Sequence, residues 1–198
     1  QGSTLIVTLE PCSHYGRTPP CTEAIIAAGI ARVIIGVRDP NPQISGRGVN
    51  ILREHGIEVV EGVEEAECAA LIRPFKTWIT ERRPYTILKL ACSIDGKVAT
   101  KTGESQWITG DEARQTVHQL RSEVDAIMVG RGTAEVDNPR LTARGVKLLR
   151  QRQPDRVILD STLSLDPNLR AFDGEDGARR IVFTSKYSGF DTLQARGV

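Results

Sequence analysis

No stretch of the chain approaches the roughly 18 uninterrupted apolar residues that a membrane-crossing helix needs, so no membrane span is expected. Charge of one sign is also missing: 26 Lys and Arg stand against 25 Asp and Glu, a formal net charge of +1. That balance argues against a nucleic acid or an anionic membrane as a partner recruited by bulk charge. There is no secretory leader pattern, since Gln1 runs straight into a strand-like segment, and no initiator Met. Four cysteines without a leader point to a reducing, cytoplasmic setting. No internal repeat and no low-complexity tract interrupts the chain. Both ends are abrupt and read as cut ends of something longer.

What is present is ordinary globular material: 198 residues, 39% apolar and 26% charged. A chain well above about 70–80 residues can bury a core without staples. Its first part alternates strand and helix patterns. Thr4–Leu9 (TLIVTL), Arg32–Val37 (RVIIGV) and Glu58–Val60 are expected strands. Between and after them, Thr22–Ala28, Val49–His55 and Glu64–Trp78 are expected helices, the first two closed by Gly29 and Gly56. Strands separated by helices imply crossovers and a mainly parallel sheet. Polar, Pro-ended residues 81–84 form the candidate linker. Beyond it, Tyr85–Cys92 (YTILKLAC), Ala126–Val129, Val157–Leu159 and Ile181–Phe183 are expected strands, and Asp111–Glu123 an expected helix. The expectation is two α/β domains, at 1–80 and 85–198.

The stretch TLEPCSHYGRTPPC, residues 8–21, carries the first chemistry. Cys12 and Cys21 admit three readings: a disulfide, disfavoured in a reducing compartment, two buried structural thiols, or two metal ligands. A strand end and a helix start bring the two thiols near one point, and a helix N-terminus is expected to lower a thiol pKa. Zinc takes thiolate and imidazole ligands tetrahedrally. His14 is a third candidate by position, although a tight C-x-H chelate is strained and a substrate-facing role suits it better. Downstream, the turn-rich DPNPQISGRG closes the second strand. In the second half, a strand runs into Gly130-Arg131-Gly132-Thr133, a glycine loop able to approach an anion. Arg121 and Arg144 offer planar forks suited to a phosphate, with solvated surface charge as the alternative. Ser105 and Trp107 lie in a loop where a core Trp is the default. Cys68 and Cys92 read as buried structural thiols, and His55 and His118 carry no assigned chemistry.

Zinc nucleobase deaminases carry H-x-E upstream of P-C-x-x-C. Here the second Cys follows the first by nine residues, and the longer PCSHYGRTPPC loop resembles that of the riboflavin-biosynthesis deaminases. DPNPQISGRG is similar to that family's next substrate loop. LKLACSIDGKVAT, GESQWIT and MVGRGTAEVDNPRLTAR resemble the reductase fused to that deaminase in the bifunctional riboflavin enzymes, whose fold is like dihydrofolate reductase. The resemblance runs from about Thr4 to Asp160. It implies a cytidine-deaminase-like three-layer α/β/α domain followed by a dihydrofolate-reductase-like α/β domain, both incomplete.

The resemblance also implies function. Cys12 and Cys21 would be zinc ligands, and His14, Arg17, Asp39 and Asn41 would contact substrate in the deaminase half. In the reductase half it implies substrate contacts at Ser105, Arg121, Leu141 and Arg144. NADPH contacts would fall at Ala91, Trp107, Thr133, Asp137 and Ser161. No H-x-E precedes Cys12, so the third zinc ligand and the catalytic Glu of the pattern are missing and no catalytic residue is assigned. The expected activities are hydrolytic deamination of a phosphoribosylamino-pyrimidine and NADPH-dependent reduction of its ribosyl group, in a cytoplasmic homodimer with no nucleic-acid partner. The alternatives are a reductase with a degenerate deaminase half, or a non-catalytic scaffold.

Overall fold

The computed structural model describes residues 2–198 and divides into two compact units, Gln1–Lys89 and Leu90–Val198. In the first unit, strands β1 (Thr4–Leu9), β2 (Arg32–Val37) and β3 (Glu58–Glu61) form a parallel sheet in the order β1-β2-β3. Helix α1 (Cys21–Ala27) crosses between β1 and β2, and α2 (Arg47–Glu54) between β2 and β3. Central β2 is the most apolar strand because it is covered most: Val33 and Ile35 are fully buried and pack with Ile25, Val49, Leu52 and Ile57. Helix α3 (Glu65–Leu71) lies on β2 at Gly36. A Cβ there would stand 2.2 Å from Cys68 Sγ and 2.8 Å from the Thr8 carbonyl oxygen, so only glycine lets the helix approach.

The helix expected over Glu64–Trp78 is broken. α3 ends at Leu71 and α4 (Arg73–Glu81) begins after Ile72, whose φ of −100° and ψ of 9° leave the helical region. Pro74 explains the break: it has no N–H to give and is tolerated in the first turn of a helix, not inside one.

In the second unit, α5 (Asp111–Glu123) precedes a parallel sheet of β4 (Ala126–Gly130), β5 (Asp155–Leu159) and β6 (Arg180–Phe183), in that order. Helix α6 (Arg131–Asp137) follows β4 without a loop, and α7 (Asp191–Gln194) follows β6. The GRGT stretch expected as a glycine loop is therefore the junction of β4 with the first turn of α6. Buried Ala134, Leu141, Ile158, Leu165, Leu169, Ala171, Phe172 and Leu193 make the core.

Tyr85–Cys92 is not a strand. It has no regular secondary structure, and Leu88 and Leu90 are 80% and 68% exposed. Its apolar composition fits a buried strand, but no neighbouring strand pairs with it among the described residues. Cys92 accordingly is exposed rather than a buried thiol, whereas Cys68 is buried as expected. No helix among the described residues is long and apolar enough to cross a membrane.

Candidate functional site

The cysteine loop joins the end of β1 to the start of α1. Pro11 and Pro20 are buried at its two ends, while His14, Tyr15 and Arg17 between them are exposed. Tyr15 donates its hydroxyl to the Glu23 carboxylate at 2.9 Å, which ties the loop tip to α1. Cys12 and Cys21 do meet: the Cys21 amide donates to Cys12 Sγ at 3.2 Å, and neither is in a disulfide. The Cys12 thiol bonded beside it raises the Cys21 thiol above its ordinary value, and burial adds to the rise. The thiolate-favouring effect expected of a helix start is outweighed here, since α1 has only seven residues and a second sulfur competes for the same negative charge.

Two adjacent thiols are the right chemistry for half of a zinc site. Among the described residues no three His, Cys, Asp or Glu side chains gather into a metal-holding group, and exposed His14 does not complete one. The described residues do not fit a whole zinc site.

Beside the cysteine loop runs the loop from Asp39 to Gly46. Asp39 is 8% exposed, and its carboxylate accepts from the Asn41 amide at 2.9 Å. The Asn41 side-chain oxygen accepts from the Gln43 amide at 3.1 Å. Both predicted substrate residues thus shape their own loop through Asx-type turns. What the sequence reading missed is Glu10. It is 4% exposed and accepts backbone hydrogen bonds from Asp39, Gly46, Gly48 and Val49. The one available signal was an acid closing an apolar strand immediately before Pro-Cys.

In the second unit, the Ser105 hydroxyl donates to the Asp137 carboxylate at 3.1 Å, joining a predicted substrate residue to a predicted cofactor residue. Trp107 is 72% exposed rather than packed in a core, with the Arg114 guanidinium 4.5 Å from its ring centroid. Thr133 is exposed in the first turn of α6. Ala91 is half-buried, and Ser161 is exposed past the end of β5, its carbonyl accepting from the Ser185 hydroxyl at 2.8 Å. The Leu141 side chain is 2% exposed inside the core, so a ligand contact there would come from its main chain.

Arg121 and Arg144 converge on one residue. Arg121 donates to the Thr142 carbonyl at 3.1 Å and Arg144 to the Thr142 hydroxyl at 2.9 Å. Burial lowers the Arg121 pKa, and the nearby Arg144 charge lowers it further. His118, assigned no chemistry from the sequence, accepts the Arg144 amide on Nδ1 at 3.2 Å. Burial first, then Arg144 and Arg121, hold His118 below its ordinary pKa. A shallow depression of about 370 Å³ between Glu112, Gln115, Thr116, Gln119 and Val146 holds none of the predicted residues.

Residues 84–194 match the family model of the RibD C-terminal domain. Among curated proteins, the riboflavin biosynthesis protein RibD of Aquifex aeolicus is 46% identical over 198 residues, 100% of this chain and 55% of that protein. RibD of Escherichia coli is 44% identical over 177 residues, 84% of this chain and 48% of that one. The chain thus spans about half the length of the curated relatives it matches. Among solved structures, a diaminohydroxyphosphoribosylaminopyrimidine deaminase/5-amino-6-(5-phosphoribosylamino)uracil reductase from Thermotoga maritima is 50% identical with a TM-score of 0.83. It covers 94% of this chain, which covers 52% of it. RibD of Acinetobacter baumannii superposes with a TM-score of 0.84 at 39% identity, over 100% of this chain and 55% of that one. With a family model matched over more than half its residues, the chain belongs to the RibD C-terminal domain family.

Proposed function

We propose that the protein acts in riboflavin biosynthesis, with its second unit part of an NADPH-dependent reductase and its first unit part of a pyrimidine deaminase. The observation that carries this reading is that similarity extends over both units, not over the reductase stretch alone. The substrate class it names is a phosphoribosylamino-pyrimidine, in a cytoplasmic enzyme that assembles as a homodimer.

The second unit has chemistry to match. Two guanidinium groups held against Thr142 repel each other, and a phosphate would relieve that repulsion while accepting from both forks. The groups for the cofactor are the exposed indole of Trp107, the Thr133 hydroxyl, the Asp137 carboxylate and the backbone at Ala91 and Ser161, with the substrate residue Ser105 bonded to Asp137. A flat ring for stacking beside hydrogen-bonding groups suits a nicotinamide dinucleotide. When bound, NADPH supplies the hydride, and the chain's own residues have only to hold and orient the two reactants. In the first unit, Cys12 and Cys21 would be two of the zinc ligands, with His14, Arg17, Asp39 and Asn41 around the pyrimidine.

The test is a pair of assays on the full-length protein with a phosphoribosylamino-pyrimidine substrate. Ammonia release without NADPH reports deamination, and NADPH consumption on deaminated substrate reports reduction. Cys12→Ser should abolish the first and spare the second. A protein that performs neither reaction, or a variant that loses both with its fold intact, contradicts the reading.

A further inference from the structure

We infer that Glu10 is a positioning residue for the deaminase half: its buried carboxylate fixes the loop carrying Asp39 and Asn41 against the loop carrying Cys12. The inference rests on the reading that these two loops form a substrate site.

Every hydrogen bond Glu10 accepts comes from the main chain. Oε2 takes the amides of Asp39 at 3.1 Å and Gly46 at 2.9 Å. Oε1 takes those of Gly48 at 2.9 Å and Val49 at 3.3 Å. A carboxylate withdrawn from water persists only if its lone pairs are satisfied, and charge-assisted bonds to amides are the strong kind. The four donors come from both ends of the loop. Asp39 opens the loop, while Gly46, Gly48 and Val49 close it and enter α2, so one side chain ties both loop ends together.

The same residue holds the other loop. Its own amide donates to the Val37 carbonyl at 2.9 Å, which locks it to the end of β2. Cys12 follows only two positions later. The approach is close enough to exclude any side chain at Gly48, where a Cβ would stand 2.2 Å from the Pro11 carbonyl oxygen and 3.2 Å from Glu10 Oε1. A surface loop that needed closing alone has its Asx turns for that purpose. The carboxylate adds a fixed separation between Cys12 and the Asp39–Asn41 turn, which is what a site built from two loops requires.

The experiment is Glu10→Gln in the full-length protein, with both activities and amide exchange measured. Gln keeps the shape but turns an NH₂ toward one pair of amide donors. We expect deamination KM to rise about tenfold, the scale of one net hydrogen bond, with reduction within about twofold of wild type. Amides of one pair, Asp39 with Gly46 or Gly48 with Val49, should exchange about tenfold faster while those of β2 hold. Unchanged deamination kinetics together with unchanged exchange would overturn the inference. If Glu10→Gln fails to fold, the wild type still decides. There the four bonded amides should exchange more slowly than those of exposed His14 and Arg17, and equal rates would overturn the assignment. Asn41→Ala separates the two claims: if it leaves deamination untouched while Glu10→Gln loses amide protection, the substrate reading of the loop fails and the positioning role stands.

Discussion

Asp155 sits at the start of β5, 2% exposed, and its charge is settled by arginines from two directions. Burial alone would raise its pKa. The Arg179 side chain and amide, then Arg152, outweigh burial and hold it down at about 2, from an ordinary 3.8. Arg179 donates to the one oxygen Oδ2 from both Nε at 3.0 Å and Nη2 at 2.7 Å, while Arg152 meets Oδ1 at 2.8 Å. Because the folded pKa is depressed, the stabilisation is present above the unfolded value and is lost as pH falls through the folded one. Acidification from about pH 4 toward pH 2 should therefore remove about 2 kcal/mol from the second unit through this residue. Asp155→Asn should be less stable at pH 7 by a similar amount and should lose that acid dependence. Urea midpoints at pH 7 and pH 3 for the two proteins check this, and parallel pH curves would contradict it. None of this was legible in DRVIL, which reads only as a strand. Glu10 was hidden for the same reason, since its amide partners lie 29 to 39 positions away. Long-range polar partners have no periodicity to read.

Elements were legible where their pattern is local. β1 and β2 fall at the predicted bounds, and α5 spans Asp111–Glu123 as its 3–4 spacing implies. The readings failed where an element depends on a neighbour or on one residue. Pro74 splits a helix whose apolar spacing runs on regardless. Tyr85–Cys92 has a strand's composition, but a strand exists only through hydrogen bonds to another. That difference is measurable in the 198-residue chain. Leu88→Ser, at a position 80% exposed, should change stability by less than about 0.5 kcal/mol. Leu141→Ala, at a position 2% exposed in the core, should cost about 2–5 kcal/mol. Denaturant melts of both variants compare them directly. A Leu88 cost matching that of Leu141 would show the segment to be buried in solution.

At the scale of the whole molecule, each unit has its own parallel sheet and its own apolar cluster, the condition for folding as a cooperative unit. Two α/β regions were legible in the sequence because strand and helix patterns alternate on both sides of residues 81–84. Where one unit gives way to the other was not, because exposed, irregular chain on either side of the proline carries no periodic mark. We propose that the units unfold separately, and two substitutions argued from their own surroundings can show it. Gly36→Ala belongs to the first unit alone: its new Cβ would stand 2.2 Å from Cys68 Sγ and 2.8 Å from the Thr8 carbonyl oxygen. α3 or the strand must shift, and overpacking of that kind costs about 1–3 kcal/mol. Asp155→Asn belongs to the second unit alone. Calorimetry of the 198-residue chain should resolve two transitions, Gly36→Ala lowering one and Asp155→Asn the other. A single transition that both substitutions lower equally would show one cooperative body, and the division into two folding units would fall with it.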